Sequence, residues 1–238
     1  MTKIQIIPAI LATTEKQYRQ KLEKIHSCQE FEGGWVQIDL MDNTFVQNIS
    51  ISLDIVARYP TKLKREAHLM VFHPIEWIKE LIEQEFERII IHLESDPRSP
   101  GSERWEDYVR SNLDYIEDHG LHIKDEGIES GLAINLDTPM EELNPYLYDI
   151  NVLLIMSVNP GFGGQQFDMR AIERVKKAAD IRRQNKLNFK IEVDGGITEK
   201  NAKLIVEAGA DNLIIGQYLT DGNIAQNLEK IRQAATSA

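Results

Sequence analysis

The segment WVQIDLMD, Trp35 to Asp42, places Gln37 and Asp39 two residues apart in an otherwise apolar run. In a β-strand alternate side chains share a face, so Trp35, Gln37, Asp39 and Met41 lie together, opposite Val36, Ile38 and Leu40. The same parity recurs in KREAHLMV, where Glu66, His68 and Met70 alternate with Ala67, Leu69 and Val71. It recurs again in KIEVDGG, where Glu192 and Asp194 alternate with Ile191 and Val193. Three segments therefore send acids or a histidine to one face. A buried carboxylate without a partner is costly, and is answered by a shifted pKa, a hydrogen-bond network or a metal. Singly, each of Asp39, His68 and Asp194 reads equally well as a satisfied buried polar residue; three in one layer read as a site.

Glycines supply a second signal. NPGFGGQQF, from Asn159 to Phe167, is too glycine-rich for a simple helix start and is expected to be a loop able to close over a ligand. Gly195-Gly196 and Gly216 each end an apolar run. Backbone N–H groups at such turns bind phosphate where glycine permits close approach, so a phosphorylated small molecule is the expected ligand.

Positioning these residues requires alternating strands and helices. Strands are expected at Ile4 to Ile10, Trp35 to Met41, Lys64 to Val71, Arg88 to Leu93, Ile128 to Asn135, Asn151 to Val158, Phe189 to Asp194 and Asn212 to Gly216. Between them lie amphipathic stretches such as EKQYRQKLEKIHSC, EWIKELIEQEF, WEDYVRSNLDYIEDHG, MRAIERVKKAADIRRQ and TEKNAKLIVEAGA. Eight such units in 238 residues match a (β/α)₈ barrel better than the alternative, an open doubly wound sheet. Barrel enzymes place their chemistry at the C-terminal ends of the strands, where Asp39, His68 and Asp194 fall. No linker or low-complexity tract divides the chain, so residues 1–238 are expected to form one domain.

Composition narrows the function classes. The net charge of -11 argues against a nucleic-acid or anionic-membrane binder, so an anionic ligand must be held by local groups. No apolar run is long enough to span a bilayer, and the N-terminus lacks the features of a secretory signal. Cys28 is the only cysteine, which leaves no internal disulfide and makes the cytoplasm the default location. A homo-oligomer stays open.

The segments IIPAIL, WVQIDLMDNTFVQN, AHLMVFHP, HLES, MSVNPGFGGQQF, EVDGGI and AGADNLIIG resemble, in order and spacing, the motifs of the ribulose-phosphate 3-epimerase family. The resemblance implies a single TIM barrel of the ribulose-phosphate-binding type. It implies a pentulose-phosphate 3-epimerase that interconverts D-ribulose 5-phosphate and D-xylulose 5-phosphate. Asp39 and Asp194 would be the acid/base carboxylates on opposite faces of the sugar, and both, with His68, would ligate one divalent cation (Zn, Fe, Mn, Mg or Co). Met41, Met70 and Met156 match methionines that line the family's site. Gly163, Gly164, Gly195, Gly196 and Gly216 match its phosphate loops, with Gln217 at the last of them.

Departures from the family pattern set the open questions. Gln37 stands where the family has a histidine ligand, and a neutral amide oxygen suits Mg²⁺ or Mn²⁺ better than Zn²⁺. Ile7 and Ala9 replace serines of the first strand, Asn43 replaces a glycine, and Gln217 replaces a serine. Three readings follow: an active pentulose-phosphate epimerase with altered metal preference, an epimerase for another ketose phosphate such as a hexulose 6-phosphate, or an impaired barrel that binds a sugar phosphate without turning it over. Retention of both aspartates and His68 argues against the third.

Overall fold

The structure, a computed structural model, describes residues 4–96, 103–123 and 127–236. Most of the segment DPRSPGSER, Asp96 to Arg104, which the sequence marks as a loop ahead of a helix, lies outside them. The strands are β1 (Gln5–Ile10), β2 (Trp35–Met41), β3 (Lys64–Met70), β4 (Arg88–His92), β5 (Glu129–Ile134), β6 (Val152–Met156), β7 (Lys190–Asp194) and β8 (Asn212–Ile215). Each pairs in parallel with the next in sequence, and β8 returns to β1, so the sheet is a closed barrel and not the open alternative. The helices are α1 (Glu15–His26), α2 (Leu53–Ala57), α3 (Ile75–Glu83), α4 (Glu103–Ile123), α5 (Arg170–Asn185), α6 (Ala202–Ala208), α7 (Gln217–Thr220) and α8 (Ile224–Thr236).

Local chemistry sets these boundaries. At the start of α1 the Thr14 hydroxyl accepts the Gln17 N–H at 3.3 Å, and Tyr18, Leu22 and Ile25 then recur at helical spacing as its buried stripe. Helix α6 ends at Gly209, whose φ of 112° lies in the left-handed region that closes a helix with little strain only when no Cβ is present. The outward faces of the strands, Val36, Ile38 and Leu40 among them, are fully buried in the apolar layer beneath the helices.

The barrel interior is stratified. An apolar plug of Ile7, Ala9, Ile90, Ala133, Val152, Leu154, Met156 and Ile214 fills one part of it. Glu66 and Glu192 do not belong to the layer of Asp39, His68 and Asp194: each sits one inward-facing position earlier on its strand, and Arg88 joins them. The Arg88 guanidinium ion-pairs with Glu66, with Glu192 at 2.7 Å and with Glu129 at 2.5 Å, and lies 4.0 Å from the Trp35 ring centre. Asn212 adds a hydrogen bond to Glu192 at 2.6 Å. One fixed fork of donors can serve several carboxylates at once, which helps Glu66 and Glu192 tolerate full burial although Glu66 Oε1 and Glu192 Oε2 have no hydrogen-bond partner.

Candidate active site

At the C-terminal ends of β2, β3 and β7, Asp39, His68 and Asp194 converge. Gln37, fully buried beneath them, donates both amide hydrogens: Nε2 lies 2.9 Å from Asp39 Oδ1 and 3.0 Å from Asp194 Oδ2. His68 Nδ1 lies 3.1 Å from Asp39 Oδ1 and 3.6 Å from Asp194 Oδ2. Two carboxylates this close disfavour double ionisation. Burial, reinforced by the Asp39 charge, pushes Asp194 up to about 7 against the opposing pull of His68 and the Gln37 hydrogen bond.

The opposite edge of His68 continues inward. Its Nε2 meets His92 Nε2 at 2.9 Å, and His92 Nδ1 meets Glu94 Oε2 at 3.2 Å. Glu94 in turn accepts the Asn135 N–H at 2.9 Å and the Thr138 hydroxyl. Burial opposes charge on Glu94, but these hydrogen bonds outweigh it and hold the carboxyl below the ordinary glutamate range.

Above the carboxylates opens a cavity of about 430 Å³, walled by Ala9, Met70, Met156 and Val158 and roofed by residues 159–165. The roof is pinned on its far side, where Asn48 donates to the Gly161 carbonyl at 2.7 Å. Gly163, Gly164, Gly195, Gly196, Gly216 and Gln217 all line this cavity. Two of the glycines are needed for different reasons. Gly196 has φ of 59°, and a Cβ there would stand 2.4 Å from the Phe167 nitrogen, so the loop after β7 cannot carry a side chain. At Gly216 a Cβ would approach nothing closer than 3.5 Å; it is the cavity, not the backbone, that a side chain would invade.

One ligand atom each from Asp39, His68 and Asp194 lies within 4.8 Å of the others, a spacing that could hold a metal ion. Gln37 Oε1 is buried with no hydrogen-bond partner. Because the two ends of an amide have nearly the same shape, a half-turn of this group would exchange a donor for an oxygen ligand. The donor set fits a divalent cation: two carboxylates, an imidazole nitrogen and an available amide oxygen.

The sequence profile described as the Ribulose-phosphate 3 epimerase family matches residues 5–220. The chain belongs to the ribulose-phosphate 3-epimerase family. It is therefore an enzyme, an isomerase of the epimerase class. Relatives include the ribulose-phosphate 3-epimerase of Chlamydia pneumoniae, 34% identical over 83% of this chain and 80% of that one. That of Bacillus subtilis is 30% identical over 90% of each. Among solved structures, 3-keto-L-gulonate-6-phosphate decarboxylase from Vibrio cholerae aligns with a TM-score of 0.68 at 10% identity over 98% of both chains. The 3-hexulose-6-phosphate synthase of Salmonella typhimurium aligns with a TM-score of 0.63 at 12% identity, again over 98% of both. These two share the barrel. Among the described residues, no helix is long and apolar enough to cross a membrane.

Against the family pattern, Met70 and Met156 line the cavity but Met41 does not. Met41 is buried in a small cluster with Val46 and Met70. Ile7 is also off the cavity, inside the apolar plug, so of the two serine replacements only Ala9 lines it. Sequence reasoning missed the His92–Glu94 pair and Lys21. His92 was detectable as the third inward position of RIIIH after Arg88 and Ile90. Lys21, half-buried on α1, lines the cavity while its ammonium group donates to the Leu11 carbonyl at 2.7 Å.

Proposed function

We propose that the protein is a ketose-phosphate 3-epimerase that interconverts D-ribulose 5-phosphate and D-xylulose 5-phosphate. The observation that carries this reading is the pairing of Asp39 and Asp194 across His68 at the floor of a cavity whose roof and far wall are glycine loops. Removing the C3 proton beside the ketone leaves an enediolate, and returning a proton to the opposite face inverts the carbon. One aspartate takes the proton and the other supplies one; their roles exchange in the reverse direction. A divalent cation held by Asp39, His68 and Asp194 would act as a Lewis acid toward the enediolate oxygens and lower the pKa values of the carboxylates. Met70 and Met156 give bulk beside the intermediate without offering a competing acidic proton.

The deciding experiment is a coupled epimerase assay on metal-stripped protein resupplied with single cations, with ribulose 5-phosphate and, separately, a hexulose 6-phosphate as substrates. Turnover of the pentulose restored by a cation supports the reading; turnover of the hexulose alone moves the substrate assignment, and turnover of neither removes it.

Two residue-level outcomes accompany it. A bulky side chain at Gly216, as in Gly216→Leu, should raise KM for the phosphorylated sugar because it fills the space proposed for the dianion, and its Cβ would approach no atom closer than 3.5 Å. Steady-state kinetics that return an unchanged KM would place the phosphate elsewhere. At the floor of the cavity, Gln37→His should tighten Zn²⁺ binding and Gln37→Ala should weaken binding of whichever cation is native. Metal analysis by mass spectrometry on the three proteins checks this; equal occupancy and affinity in all of them would take Gln37 out of the metal site.

A further inference from the structure

The chain Thr138–Glu94–His92–His68 runs from the rim of β5 to the carboxylate pair, and its hydrogens can be placed by elimination. Glu94 already accepts from the Asn135 N–H and the Thr138 hydroxyl, so it faces His92 as an acceptor. His92 Nδ1, 3.2 Å from Glu94 Oε2, must then carry hydrogen; a bare nitrogen there would set two acceptors against each other. In a neutral ring this leaves His92 Nε2 as a lone pair. It lies 2.9 Å from His68 Nε2, and one of two such nitrogens must donate, so the hydrogen belongs to His68. His68 Nδ1 is thereby left as a lone pair aimed at Asp39 and Asp194, at 3.1 and 3.6 Å. A lone pair facing two carboxylates is unfavourable unless something positive sits among them: a cation or, in its absence, a proton shared by Nδ1 and the carboxyls.

We infer that Glu94 and His92 are positioning residues: through two hydrogen bonds they fix His68 in the Nε2–H form, which keeps Nδ1 available as a cation ligand. Neither residue touches the cavity; both act through His68, and His92 is fully buried against the Phe45 ring, 4.7 Å between centroids. Partners of this kind commonly hold a metal-bound imidazole in orientation and raise its basicity. The inference rests on the metal reading for its consequence, though not for the hydrogen placement itself.

The polarity of the relay makes it testable. In Glu94→Gln, the new amide can donate to His92 Nδ1. His92 then carries its hydrogen on Nε2, donates to His68, and moves the His68 hydrogen onto Nδ1, where a cation must displace it. The reverse case is His92→Gln. Its amide can present oxygen to His68 and nitrogen to Glu94, which preserves the original polarity and should rescue much of the function of the ring.

Two measurements decide between these arrangements. Histidine ring-nitrogen NMR on isotope-labelled, metal-stripped protein at about pH 8, above the ordinary imidazole range, reads the tautomer directly. Calorimetric titration with Mn²⁺ or Zn²⁺ reads affinity. The expected result is an Nε2–H His68 in the wild type and a shift toward Nδ1–H in Glu94→Gln. With it should come roughly 10- to 100-fold weaker cation binding, and near-wild-type binding in His92→Gln. An Nδ1–H His68 in the wild type would overturn the inference, as would a Glu94→Gln protein with unchanged tautomer and affinity. Should the wild type take up no divalent cation, the metal reading under Proposed function fails, and the two tautomer measurements alone decide the relay.

Discussion

Asp39→Asn and Asp194→Asn are each expected to reduce turnover about 10²- to 10⁴-fold, the usual cost of losing a positioned acid or base. Asparagine keeps the shape and can still hydrogen-bond Gln37, so the barrel should stay folded. Both aspartates are also proposed cation ligands, and a drop in rate by itself would not separate the two roles. Exchange of the C3 hydrogen with heavy water does. With one base left, a variant can take the proton from one epimer and return it to the same face, so it should exchange that epimer and not the other. The two variants should show opposite preferences. Equal loss of exchange from both epimers in both variants would assign the effect to cation binding. Near-wild-type turnover in either variant, with a native fold, would end the two-base mechanism.

The barrel was legible because its signal repeats. Eight apolar runs, each followed by a helical pattern, leave little freedom, and strand parity alone placed Asp39, His68 and Asp194 on one face at the correct end. Parity could not rank depth. Glu66 and Glu192 have the same parity as the site residues, and only the position of Arg88 across the barrel shows that they belong to a separate buried layer. Arg88 was readable as a strand residue, but its partners come from β3, β5 and β7, and that convergence is a property of closure. The same limit applies to Met41 and Ile7: neither lines the cavity, because Ile7 packs into the apolar plug and Met41 against Val46 and Met70. His92 and Glu94 were passed over for another reason. Their contribution lies in hydrogen-bond direction, which needs the distances between ring nitrogens and the contacts from Asn135 and Thr138.

The buried layer beneath the site carries the largest expected effect on stability. Arg88→Met would remove the guanidinium that pairs with Glu66 and Glu192, both fully buried, and leave the two carboxyls without their cation. Removing one partner of a buried ion pair costs roughly 3–5 kcal/mol, which in a chain of this size lowers Tm by about 6–20 °C. The loss should depend on pH, and its sign follows from Glu66. Burial and the nearby Glu192 charge hold the Glu66 carboxyl well above the ordinary range even with Arg88 present. The folded state therefore binds more protons than the unfolded chain, and this contribution is complete below the unfolded pKa and is lost as pH rises. Without Arg88 the carboxyl rises further, so the stability deficit of Arg88→Met should widen once pH climbs past the wild-type Glu66 pKa, where the wild type stops losing stability and the variant does not. In Glu66→Gln/Arg88→Met/Glu192→Gln no fully buried charge is left unpaired, Glu129 being partly exposed to water, and most of the stability should return, because apolar or neutral replacement of a whole buried ion set is often nearly neutral. Thermal unfolding of the three proteins across a pH series from about 5 to 9 tests the account. An Arg88→Met protein that melts with the wild type at pH 8, or a triple variant no better than the single one, would mean that the layer is held by packing around Trp35 and Asn212 and that its charges contribute little.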